Sequence, residues 1–165
     1  MSSPKIRDAT QADLPAIIGI YNAAIPGRIA TADTSAITVE SRRRWFDEHA
    51  PDTRPLWVAT IDGNIVAWLS YQLFNTRPAY RSTAEISIYV SPKFQRHGIG
   101  RALLRRAVER APALDLRTLV GLIFGHNAAS LRLFESFGFE RWAHLPRVAE
   151  LDGVERDLVI VGRRV

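Results

Sequence analysis

Polar and apolar residues alternate along "TAEISIYVS", with Glu85, Ser87 and Tyr89 set against Ile86, Ile88 and Val90. That period of two predicts a strand with one face in the core. The spacing then lengthens to three and four. Ile99, Leu103, Leu104, Ala107, Val108 and Ala111 fall on one face of a helix that Pro112 ends. Upstream, "KIRDA" (5–9) predicts a short strand, and Thr10 with Asp13 has the form of a capping box. It opens a helix running to about Ala24, with Leu14, Ile17, Ile18 and Tyr21 on its apolar face. "PGRIATADTSA" (26–36) is a loop, and Thr38 caps a second helix, "VESRRRWFDEHA".

Two hairpins are expected where Asp-Gly pairs separate strand-like runs. One joins "LWVATID" to "NIVAWLSYQLF" at Asp62-Gly63; the other joins "FERWAHLPRVAEL" to "VERDLVIVGR" at Asp152-Gly153. Between them, "RTLVGLIF" (117–124) reads as a buried strand, and "NAASLRLFESFG" as a helix capped by Asn127 and ended by Gly138. Without an internal repeat or a Gly/Ser-rich linker, residues 1–165 form one α+β (α/β) domain, a mixed central sheet flanked by helices.

Composition removes several chemistries. No cysteine is present, which excludes disulfides, thiolate metal ligands and cysteine nucleophiles. Four scattered histidines have no ligand spacing, so no metal is expected. No apolar run reaches the ~20 residues of a membrane span, and "MSSPKIRDATQAD" lacks the apolar core of a secretion signal. The expected location is the cytoplasm. The net charge is +5, from 20 Arg and 2 Lys against 17 acidic residues. Either a solvated surface or a phosphate-bearing partner, nucleic acid or anionic cofactor, would suit it.

The most specific stretch is "QRHGIG" (95–100), between the alternating strand and the amphipathic helix. Gly98 and Gly100 leave a helix start free of bulky side chains, where unpaired N–H groups and the helix dipole attract an anion. Arg96 and Arg101 can add charge-assisted hydrogen bonds. Leu103 stands where a dinucleotide fingerprint needs its third glycine, and no Gly-Lys-Ser/Thr follows, so neither familiar phosphate loop fits.

"QRHGIG" resembles the Q/R-x-x-G-x-G/A motif of the GCN5-related N-acetyltransferases (GNAT), and "NAASLRLFESFGF" resembles that family's later Asn-led helix ending in Gly-Phe. The order of elements fits from residue 5 to the C-terminus. Together with "IYNAAI" and "RPAYRSTAEISIYVSPKFQRHGIG", these stretches look like the phosphinothricin and methionine sulfoximine acetyltransferases, which acetylate the α-amino group of small amino-acid analogues. The resemblance implies acetyl-coenzyme A as co-substrate and a homodimer, with loop 26–36 or the C-terminal hairpin lining a shared cleft. The diphosphate would lie on Arg96, His97, Gly98, Ile99, Gly100 and Arg101. The pantetheine arm would run along Ile88, Tyr89 and Val90, with Asn127, Ser130 and Ser136 contacting the arm or the nucleotide end. Glu85 would be the catalytic carboxylate near the amine. Asn75, Thr76, Arg77, Ile86 and Ser87 would contact the substrate, with Arg77 clamping its carboxylate.

The chemistry requires such groups. An ammonium must lose a proton before it attacks a thioester, and a carboxylate can take that proton directly or through water. Backbone N–H groups near Tyr89 and Val90 can stabilise the developing oxyanion, and a bidentate arginine suits a carboxylate. Phe134 departs from the family pattern, because many members carry a proton-donating Tyr there, or His in this branch. A water, another group such as Tyr89 or Tyr80, or unassisted departure of the thiolate would replace it. The "SRRRW" arginines read as a solvated helix face or as the rim of the substrate entrance. The competing readings are a nucleic-acid-binding module, an inactive acyl-coenzyme A sensor, and an enzyme that acetylates another small amine or a protein amine.

Overall fold

Asp62 and Gly63 both have positive φ, 49° and 82°. That is the two-residue turn whose twist matches a hairpin. It joins β2 (Leu56–Ile61) to β3 (Asn64–Leu73). Asp152 and Gly153, at 52° and 76°, do the same for β6 (Glu140–Leu151) and β7 (Val154–Arg164). With β1 (Lys5–Asp8), β4 (Thr83–Val90) and β5 (Thr118–Phe124), the strands form one sheet in the order β1-β2-β3-β4-β5-β7-β6. Every neighbouring pair is antiparallel except β4 with β5. The computed structural model describes Ser2–Val165.

Among the described residues four α-helices cover the sheet: α1 (Leu14–Ala24), α2 (Arg43–Asp47), α3 (Ile99–Arg110) and α4 (Ala128–Glu135). One face of β4 sends Ile86, Ile88 and Val90 into the main core, where Leu103, Leu104 and Ala107 of α3 meet Phe134 of α4. Leu103 and Leu104 are fully buried, so truncating either to Ala is worth about 2–5 kcal/mol. On the other face Ile17, Val58 and Trp68 form a second cluster, and Tyr89 and Trp45 pack on it. The alternation in β4 therefore separates a greasy side from a side that carries Glu85, Ser87 and Tyr89.

The capping box is formed: the Asp13 carboxylate accepts from the Thr10 backbone N–H at 2.7 Å and also binds Arg7. It leads into a single 3-10 turn at Gln11–Asp13 before α1 begins. The second helix is shorter than its sequence suggests. Thr38 caps its start by accepting from Ser41 N–H at 3.2 Å, but the first turn, Glu40–Arg42, is 3-10. Arg42 then leaves helical geometry (φ −112°, ψ 4°), and α2 proper has five residues. β6 is an edge strand, and its pairing with β7 slips between Leu145 and Ala149. Pro146 supplies no N–H there and Arg147 takes φ 52°, an irregularity an edge strand tolerates. Trp142 is 47% exposed and lies over Gly162.

Candidate active site

The parallel pairing of β4 with β5 lasts three residues: Thr83 with Thr118, Ala84 with Leu119 and Glu85 with Val120. Beyond Glu85 the strands diverge, and the β5-facing backbone groups of Ile86 to Val90 have no strand partner. Such an edge accepts an extended ligand as an additional strand would be accepted. Two cavities follow it. The outer one, about 460 Å³, runs from Val90 to the start of α3. The inner one, about 360 Å³, runs back to Glu85 and Ser87. Ala30, Ile88, Tyr89, Asn127, Ser130 and Phe134 line both. A ligand threaded along the β4 edge passes from one into the other at those residues.

The outer cavity ends on the phosphate-type helix start. Gly98 precedes α3 with φ 77°, a backbone conformation that glycine adopts without strain, and open space lies where its Cβ would be. The Ala102 N–H is the first to reach back into the turn, to Gly98 O at 3.0 Å. The amides of Gly98 to Arg101 stand ahead of it, facing outward with the positive end of the helix dipole. Arg96 and Arg101 line the cavity. Arg101 is steadied over the Phe137 ring at 5.0 Å and donates to Ser136 Oγ at 3.3 Å. Ser136 thus reaches the site through Arg101, while His97 is exposed within the loop. These residues fit a diphosphate with a pantetheine arm, the anionic end on the helix start and the amide-bearing arm on the β4 edge.

At the inner end, Glu85 is half-buried, and burial alone pushes its carboxyl above the usual carboxylate range. No cation among the described residues pairs with it. Tyr89 donates its hydroxyl to Ala30 O at 3.1 Å, and burial raises its pKa further from physiological pH. Tyr80 is exposed, packs on Phe74 at the opposite end of β4 and lines neither cavity. Phe134 is buried at the junction of the two cavities, against Phe139.

Asn127 is buried and caps α4 by accepting from Ser130 N–H at 3.2 Å, while its Nδ2 donates to Ile29 O at 3.2 Å. The first bond caps the helix, and the second ties loop 26–36 over the cleft. Sequence reasoning missed the other fastenings of that loop. Arg28 (φ 54°) reaches Asp152 at the tip of the β6–β7 hairpin, Nε to Oδ2 at 2.8 Å. His126, whose Nε2 lies 2.8 Å from Arg28 O, donates to that carbonyl. Partners separated by 124 residues in the chain leave no sequence signal.

Asn75, Thr76 and Arg77 are placed differently from the rest. They lie in an exposed turn after β3, where Asn75 Oδ1 accepts from Arg77 N–H at 2.9 Å, and they line neither cavity. Ile86 and Ser87 line the inner cavity beside Glu85. Arg42, one of three consecutive arginines, turns inward beside the same face of β4.

Residues 19–139 match the acetyltransferase (GNAT) family. The chain is 46% identical over 161 residues to YwnH of Bacillus subtilis (strain 168), which carries a provisional phosphinothricin acetyltransferase name; 97% of this chain and 98% of that one are covered. It is 35% identical over 160 residues to the L-methionine sulfoximine/L-methionine sulfone acetyltransferase of Pseudomonas paraeruginosa, covering 96% and 93%. A phosphinothricin acetyltransferase from Sinorhizobium meliloti, solved with acetyl-coenzyme A, superposes with a TM-score of 0.94 at 29% identity, over 99% of this chain and 89% of that one. A ribosomal-protein-alanine N-acetyltransferase from Brucella melitensis superposes at 0.92 with 34% identity, over 98% and 99%. The family match and these identities together show that the chain belongs to the GNAT family of acetyl-coenzyme A-dependent acetyltransferases.

Proposed function

We propose that this acetyltransferase transfers the acetyl group of acetyl-coenzyme A to the α-amino group of small amino acids of the phosphinothricin or methionine sulfoximine type. The observation that carries the reading is Glu85: a half-buried carboxylate without a cation partner, where β4 and β5 separate and the inner cavity begins. The names of the Bacillus, Pseudomonas and Sinorhizobium relatives support the acceptor class.

In this reading the diphosphate rests on Arg96 to Arg101, and the arm follows Ile88, Tyr89 and Val90. Ser130 and Asn127 flank the thioester end. Glu85 takes the proton from the acceptor's ammonium, directly or through one water, and the freed amine attacks the thioester carbon. Backbone N–H groups near Tyr89 and Val90 stabilise the oxyanion, the carbon–sulfur bond breaks on its collapse, and the surplus proton on the new amide nitrogen passes to solvent. A free thiol has a pKa of about 8.5 on the cysteine scale, so the thiolate leaves and takes its proton from solvent without help at position 134.

Arg77 is assigned to the acceptor's carboxylate, and that assignment brings a second copy of the chain into the proposal. Within one copy Arg77 is outside the cavities, so a homodimer with a shared cleft is the arrangement that delivers it. Loop 26–36 and the C-terminal hairpin supply Ala30, Thr31, Val148 and Ala149 to the inner cavity's wall, which puts them at such a boundary. A chain without cysteine gains nothing from an oxidising compartment, and we place the enzyme in the cytoplasm.

The rival acceptor is a protein amine, and the Brucella relative is named a ribosomal-protein-alanine N-acetyltransferase. Thiol release from acetyl-coenzyme A decides between them. Turnover with phosphinothricin or methionine sulfoximine, and little with an alanine-led peptide, is expected; the reverse preference would replace this proposal with the rival.

A further inference from the structure

Next to Glu85, on the α1 face of β4, lies a third cavity of about 210 Å³. The β3–β4 register builds its floor: Gln72 is opposite Glu85, Ser70 opposite Ser87 and Trp68 opposite Tyr89. Opposed residues of an antiparallel pair project to the same side. Ser87 and Tyr89 line both this cavity and the inner one, so the two are neighbours across a single strand. Its walls are largely aromatic. Trp68 stacks on Tyr89 at 4.7 Å, Trp45 meets Trp68 edge-on at 5.6 Å, and Tyr21 lies 5.0 Å from Tyr89.

The one charged group lining the cavity is Arg42. Its guanidinium sits 5.8 Å from the Tyr21 ring centre, and one nitrogen lies 3.3 Å from Asp33 Oδ2. The Tyr21 hydroxyl also bonds Asp33, and it lies 2.5 Å from Thr31 Oγ1, which fixes the carboxylate on the loop side. Five donors on a guanidinium and a single contact to Asp33 leave donors for a ligand. No acidic residue lines the cavity.

Resting on the reading that Glu85 receives the α-amine, we propose that this cavity takes the acceptor's side chain. The methylene stem lies against Trp45 and Trp68, and an oxygen-bearing head group meets Arg42 and Gln72. The acceptor's α-carboxylate, which carries no apolar stem, would meet the cation but leave the four aromatic walls unused. A short stem with a polar head uses both the walls and the cation. The enzyme therefore favours acceptors with an oxoanion head, accepts neutral heads with strong acceptor oxygens, and rejects cationic heads of similar length.

The test compares phosphinothricin, methionine sulfone and ornithine as acceptors for the parent, Arg42→Gln, Arg42→Lys and Gln72→Leu. The parent should rank them in that order. Arg42→Gln should lower kcat/KM for phosphinothricin about 10- to 100-fold, chiefly through KM, the scale of a lost hydrogen bond to a charged group. Methionine sulfone should lose only a few-fold and ornithine nothing, and Arg42→Lys should keep most of the preference. Gln72→Leu, which leaves the Arg42–Asp33 contact in place, should weaken both oxygen-headed acceptors relative to ornithine. If Arg42→Gln lowers all three equally, or leaves the ratio of phosphinothricin to ornithine at the parent's value, the cavity does not read the head group. That would overturn the subsite while leaving the acceptor class intact. If the parent acetylates none of the three, the acceptor class itself falls and the subsite with it.

Discussion

Glu85 and Val120 are the last residues that β4 and β5 hold in register. The same step that ends the pairing exposes the β4 edge and leaves Glu85 at the point of the resulting wedge. Cofactor edge and proposed base are thus consequences of one feature. A pantetheine arm lying along Ile88 to Val90 brings its acyl end toward Glu85 without any further device. Predictions about the two ends of that line can be separated.

At the phosphate end, Gly98→Asp places a side chain and a negative charge at the proposed seat of the diphosphate. Calorimetry should show acetyl-coenzyme A and coenzyme A binding weakened at least about tenfold. The melting temperature should fall only slightly, because no neighbouring atom lies within reach of the new Cβ and the strain of a positive φ is about 1 kcal/mol. Undiminished affinity would remove the diphosphate from this loop.

At the junction, Phe134→Tyr adds a hydroxyl where the family pattern often has one. If the thiolate leaves unaided, kcat should stay within about threefold of the parent, since a thiol of pKa ~8.5 is already a good leaving group. A tenfold rise would mean that protonation of sulfur limits the parent and that Phe134 handicaps it.

Much of this arrangement was legible in the sequence wherever a local rule decides it. Asp62-Gly63 and Asp152-Gly153 needed positive φ, Asn127 needed to cap, and Gly98 needed to be glycine; each is a property of a few adjacent residues. The length of α2 was not legible, because its pattern is helical and only the backbone at Arg42 interrupts it. Neither was the inward turn of Arg42 among three arginines, which depends on Tyr21 and Asp33 beyond a loop. The brevity of the β4–β5 pairing depends on two strands separated by a whole helix. Arg77 lies in the turn between β3 and β4, and its position outside the cavities of its own chain depends on the fold rather than on its neighbours in sequence.

Stability should carry an acid signature from Asp13. The Arg7 guanidinium beside it and the Thr10 cap hold its carboxyl at about 2, below its ordinary value of 3.8. A depressed folded-state pKa contributes stability that is fully present above the unfolded value and is lost as pH falls through 3.8 toward about 2. Asp13→Asn should cost about 1–2 kcal/mol near neutral pH, the scale of a lost cap. Denaturation curves of parent and variant should converge at the acid end of that window. An offset that stays constant across it would show that packing, not ionisation, is what Asp13 supplies.

The assembly is tested by sedimentation equilibrium. A dimer at micromolar concentration is expected, and Leu73, Phe74 and Tyr80, all exposed beside Arg77, are suited to be covered in it. A monomer across that range would remove the shared cleft and, with it, the assignment of Arg77 to the substrate carboxylate.

The most direct test of the account is the rate of Glu85→Gln on phosphinothricin as a function of pH, with acetyl-coenzyme A affinity measured alongside. The parent's kcat should rise with pH along an acidic limb that lies above the ordinary glutamate value of about 4.3, because burial raises this carboxyl and only its ionised form can accept the proton. Glu85→Gln should lower kcat by ~10²–10⁴-fold, erase that limb and leave cofactor binding unchanged. A variant that keeps the parent's turnover and its acidic limb would show that Glu85 is an ordinary half-buried carboxylate and that the proton leaves by another route.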